Sequence, residues 1–76
     1  MERLIEILEE IEPGVDYENC TTLIDEHYLD SLAIISLVAE IEEEFDVQIP
    51  TTQIISSNFN SAQSIWDLIE RLKEEE

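Results

Sequence analysis

Apolar residues in this chain recur at helical intervals rather than in the alternation a strand would show, and that periodicity limits the fold to packed helices. Leu4, Leu8 and Ile11 fall at i, i+4 and i+7 between Glu2 and Glu12, which predicts a first helix over that stretch. Gly14, the only glycine, follows Pro13, and the pair stops this helix. A second periodic stretch opens at Asp30 or Ser31, since either side chain can accept from the free N–H groups of a first turn. It runs to about Glu44, and Pro50 bars its continuation. Thr51 or Thr52 is expected to cap a short third helix through Gln53, Ile54 and Ile55, ended by the polar stretch Ser56 to Asn60. Ser61 opens a fourth helix, with Ile65, Leu68, Ile69 and Leu72 on one side and a frayed end at Glu74 to Glu76. Between the first two helices, Val15 to Tyr28 loses its periodicity and carries Asp16, Asn19, Thr21, Thr22 and Asp25, the residues of turns and caps. The expected fold is all-α: a small four-helix bundle of three main helices and one short one, with a long first loop, forming a single domain over residues 1–76.

At 76 residues the chain buries roughly 60% of its unfolded surface, enough for one core and no second lobe. So short a domain rarely encloses a deep pocket with its own catalytic groups, which argues against a self-contained enzyme. Against 20 acidic residues stand 3 Lys and Arg, a net charge of −17 that repels phosphate backbones and anionic membrane surfaces. Nucleic acid is therefore excluded as a partner, and partners with basic patches are favoured. The same charge opposes compaction, so stability should rise with salt or magnesium. Cys20 is the single cysteine, which removes an intramolecular disulfide and any multi-cysteine zinc site; it reads as a small, partly buried apolar residue. No apolar run approaches the roughly 18 residues of a membrane span, and no signal peptide is visible, so the cytoplasm is the expected compartment. The carboxylates of Glu42 to Glu44 and Asp46 lack the spacing and central glycine of a calcium loop, so only diffuse cation binding is expected of them.

The second helix carries two apolar strips. Ile34, Leu37, Val38, Ile41 and Phe45 form the stripe that should face the core. Leu32, Ile35 and Ala39 lie on another side, near Ser31, and either pack beneath the long loop or form a docking strip for a partner. Tyr28 and Phe59 are expected in the core, and Trp66 at the edge of the bundle. His27 stands four residues before Ser31, but no G-x-S-x-G elbow or orienting acid accompanies it, so it reads as a loop histidine that hydrogen-bonds locally.

The run Asp30-Ser31-Leu32, opening an amphipathic helix that continues to Glu42-Glu43-Glu44-Phe45-Asp46 and closes with Ile49-Pro50, resembles the acyl carrier proteins. The match is ungapped through the second helix, and the layout of four helices with a long first loop agrees over nearly the whole chain. The resemblance implies that Ser31 carries a covalent 4′-phosphopantetheine arm, attached from coenzyme A by a separate phosphopantetheinyl transferase. The arm's thiol would then hold an acyl or aminoacyl group as a thioester. A serine hydroxyl is a weak nucleophile without an adjacent base, and that base would come from the transferase. The resemblance further implies a monomeric, non-enzymatic carrier serving fatty acid, polyketide or peptide biosynthesis. Its partners would be acyl- or aminoacyl-loading and acyl-transfer enzymes with basic docking patches, meeting Asp30, Leu32, Ile35, Ala39 and Glu42. Ala33, Ile34 and Ser36 stand where fatty-acid carriers commonly have acidic residues, the acidity lying downstream at Glu40 and Glu42 to Glu44, which changes the basic patch that fits. The stretch Asn58-Phe59-Asn60-Ser61 also resembles D-alanyl and stand-alone peptidyl carriers. The alternative is an unmodified acidic helical interaction module, for which Ser31 would be dispensable.

Overall fold

A computed structural model describes residues 1–74. The described residues form four helices, α1 (Glu2–Ile11), α2 (Ser31–Phe45), α3 (Ser56–Phe59) and α4 (Ala62–Glu74), with a 3₁₀ turn at Thr51–Gln53. α1 packs against both α2 and α4, and α3 packs against α4. The core is one cluster in which Leu4, Ile7 and Leu8 of α1 meet Leu37 and Ile41 of α2, Phe59 of α3 and Ile65, Leu68 and Ile69 of α4. Ile7 completes the α1 stripe, while Ile11 is only half-buried because the helix ends there.

Each helix end has a physical cause. Past Ile11 the backbone of Glu12 is extended, and Gly14 at φ +88° takes a left-handed turn that a side chain would strain. The buried Tyr17 then folds back on α1, with its hydroxyl placed to donate to the carbonyl oxygens of Leu8, at 3.1 Å, and Glu12. Asp30, not Ser31, is the cap of α2: its carboxylate accepts from the Ala33 N–H at 2.8 Å. α2 stops at Asp46, whose left-handed backbone (φ 54°, ψ 51°) turns the chain four residues before Pro50. Val47 and Ile49 drop into the core beyond that turn, and the half-buried Glu42 holds the turn by accepting from the Ile49 N–H at 2.9 Å. Ser61 and Ser64 cap α4 reciprocally, the Ser64 N–H donating to Ser61 Oγ at 3.0 Å and the Ser61 N–H to Ser64 Oγ at 3.2 Å. α4 runs through Glu74, which was expected to fray, and the rest of that expectation, at 75–76, lies outside the described residues.

Two expectations need correction. The third helical segment is divided: Thr51–Gln53 makes a 3₁₀ turn, Ile54 and Ile55 form a non-helical link, and the helix is Ser56–Phe59, the stretch expected to end it. Burial of Phe59 decides this, because the ring reaches the core only when its own segment coils back onto α4. Tyr28 is not core but 44% exposed. His27 at φ 62° ends a helical turn, so Leu29 takes the inward position, its N–H donating to the Leu23 carbonyl at 3.0 Å, and Tyr28 is turned outward.

One residue ties the long loop to the rest. Asn60 accepts three successive loop N–H groups: Leu23 on its carbonyl at 2.9 Å, and Ile24 and Asp25 on its side-chain oxygen at 3.0 and 3.1 Å. These are free donors at the start of a helical turn, capped by a residue 35 or more positions away instead of by a neighbour.

Candidate functional site

Ser31 is the first residue of α2 and is exposed. Its position follows from the Asp30 cap, which begins the helix one residue earlier and leaves the serine hydroxyl at a helix N-terminus, where an attached anion is favoured. Beside it opens a cleft of about 500 Å³ with mainly apolar walls. Ile34 and Ile35 of α2 line it together with Ile24 and Leu29 of the long loop and Ile54 and Phe59. Asn60, directly after Phe59, holds Ile24 of this lining through its side-chain oxygen.

The second strip of α2 is open to solvent. Leu32 is 74% and Ile35 66% exposed, and Ala39 is exposed as well. Ile55, 50% exposed, borders the cleft with Ile35, and Tyr28 is a further exposed hydrophobe close in sequence to Ser31. Neither was legible as part of a surface patch: Ile55 was expected only as part of a short third helix, and Tyr28 in the core. Of the residues expected to dock partners, Leu32, Ile35 and Ala39 lie free on one side of α2, Asp30 is occupied as the cap, and Glu42 is occupied by the Ile49 N–H.

The three basic side chains do not line the cleft. Arg3 Nε donates to Glu44 at 2.9 Å and its Nη1 to Glu6 at 3.1 Å, the paired carboxylates raising the guanidinium pKa. Lys73 Nζ lies 5.6 Å over the Phe45 ring, which also packs edge-on against the half-buried Trp66 at 5.7 Å. Both contacts fall at the C-terminal end of α2, about 21 Å from Ser31 at 1.5 Å per residue. No cluster of three metal-ligating side chains occurs among the described residues, and no described helix is long and apolar enough to cross a membrane.

This arrangement fits a phosphopantetheine group: a solvent-facing hydroxyl for a phosphodiester, and an apolar cleft beside it for what the arm bears. Residues 2–72 match the family described as the phosphopantetheine attachment site. The chain is 35% identical over 74 residues to the D-alanyl carrier proteins of Listeria welshimeri and Listeria monocytogenes, and 34% identical to that of Listeria innocua. In each comparison 95% of both chains is covered. The chain belongs to the phosphopantetheine-binding carrier proteins: not itself an enzyme, it carries an acyl or aminoacyl group as a thioester on a covalent 4′-phosphopantetheine arm and presents it to partner enzymes.

Proposed function

We propose that Ser31 is the attachment point and that the cargo is a small aminoacyl group of the D-alanyl kind. The observation that carries the attachment is the exposed Ser31 hydroxyl, set by the Asp30 cap at the mouth of an apolar cleft. The cargo reading rests on the D-alanyl carrier proteins to which nearly the whole chain is similar. Residues 1–76 act as one monomeric carrier domain, in the cytoplasm where coenzyme A supplies the arm. Leu32, Ile35 and Ala39, extended by Ile55 and Tyr28, form the apolar centre of the docking surface, and basic patches on the transferase and the loading enzyme answer the surrounding carboxylates. Asp30 contributes through the cap it makes, and Glu42 through the turn it holds.

Intact-protein mass before and after incubation with coenzyme A and a phosphopantetheinyl transferase tests the attachment. The wild type should gain one phosphopantetheine moiety and Ser31→Ala none. A gain in both would move the site elsewhere, and a gain in neither, with helicity intact, would favour the unmodified interaction module. Incubation of the loaded protein with D-alanine, ATP and a D-alanine-activating ligase should then add one alanyl group to the thiol. Loading of fatty acyl groups alone would refute the aminoacyl assignment.

A further inference from the structure

Three features meet at His27. Its backbone is left-handed at φ 62°, a conformation glycine adopts without cost, yet a histidine stands there. Its exposed side chain lines the same cleft as Ser31. It is also the only cleft residue able to carry positive charge, because Arg3, Arg71 and Lys73 do not line it.

A phosphodiester on Ser31 adds negative charge to a region already acidic. The carboxylates nearest in sequence are Asp25 and Glu26 on the loop and Asp30 at the cap, and each has a partner. Asp25 accepts from Asn60 Nδ2 at 3.3 Å, Glu26 from Thr22 Oγ1 at 2.6 Å, and Asp30 from the Ala33 N–H. Ser56, which also lines the cleft, is uncharged. His27 is thus the one side chain at the cleft that can offset the phosphate.

We infer that His27 is a positioning residue for the arm, an imidazole N–H donating to a phosphodiester oxygen on Ser31 and holding the root of the arm at the mouth of the cleft. This rests on the reading of Ser31 as the attachment point.

Phosphorus-31 NMR of the phosphopantetheinylated protein tests this, with mass confirming the modification first. The wild-type phosphodiester resonance should shift when the imidazole is removed in His27→Asn, which tolerates the left-handed backbone, while the amide spectrum away from the cleft stays the same; His27→Gln serves in its place if the Asn variant loses helicity. An unchanged phosphorus resonance in a folded variant would overturn the role of His27 and leave Ser31 as the attachment point. Failure of the wild type to gain the arm would overturn both.

Discussion

Replacing Asn60 with alanine removes an acceptor shared by two backbone N–H groups without touching a helix. The Oδ1 bonds from Ile24 and Asp25, at 3.0 and 3.1 Å, are lost, while the bond from the Leu23 N–H to the Asn60 carbonyl remains. At about 0.5–1.5 kcal/mol net for each bond, and with little from the exposed 3.3 Å contact to Asp25, the variant should lose about 1–3 kcal/mol. A domain of this size has on the order of 4–11 kcal/mol to lose, so the change is large. With a urea m-value near the lower limit for small proteins, about 1 kcal/mol/M, the midpoint should fall by roughly 1–3 M. Hydrogen exchange locates the effect: the Ile24 and Asp25 amides should lose protection while Leu23 keeps most of its own. Asn60→Asp, which retains an acceptor but faces Asp25, should fall between the two proteins. An unchanged midpoint, or unchanged exchange at Ile24 and Asp25, would refute the view that Asn60 holds the loop leading to Ser31.

Ile35→Asp and Leu32→Asp should slow transferase loading about tenfold, equivalent to about 1.4 kcal/mol of lost docking, with thermal melts unchanged; slow loading accompanied by lost helicity would count against a docking role. Glu42→Ala should do the reverse, lowering stability by about 1 kcal/mol through the freed Ile49 N–H and leaving loading rates near wild type. Burial, then the nearby Glu12 and Glu9, pushes the Tyr17 phenol up from 10.0 to about 12. The folded value lies above the unfolded one, so this contribution is complete below about pH 10 and erodes as pH rises toward 12; Tyr17→Phe should remove that alkaline step from the denaturation profile. Thermal midpoints should climb from low to moderate ionic strength as the net charge of −17 is screened, and a flat series would contradict the role given to self-repulsion.

The parts of the fold legible beforehand are those written in local periodicity. α1, α2 and α4 follow from the spacing of their apolar residues and from Pro13-Gly14, Asp30 and Ser61 at their ends. The place of Ser31 at the head of α2 was legible because Asp30 and Ser31 are both capping residues just before the apolar periodicity begins. What was not legible depends on partners distant in sequence. Ser56–Phe59 looks like a polar turn until Phe59 is seen to need α4, and Tyr28 looks like core until the left-handed His27 turns it outward. Glu42 was expected to meet partners, and nothing local shows that the Ile49 N–H lies against it. Tyr17 and Asn60 act through backbone groups of other segments, which no pattern of side chains announces.

The seating of Arg3 and Lys73 on Glu44 and Phe45 affects how the carrier meets an enzyme as well as how it folds. Positive charge offsets only part of the acidity at the exit of α2, where Glu40, Glu42, Glu43, Glu44 and Asp46 lie, and Asp25, Glu26 and Asp30 stand near its start with no lysine or arginine lining the cleft. Both ends of α2 therefore stay acidic, and a basic surface draws the carrier in whichever end leads, which leaves the exposed apolar strip to select the final orientation. Since the field decays over about 8 Å at physiological ionic strength, this guidance acts in the last nanometre of approach and fades as salt is added.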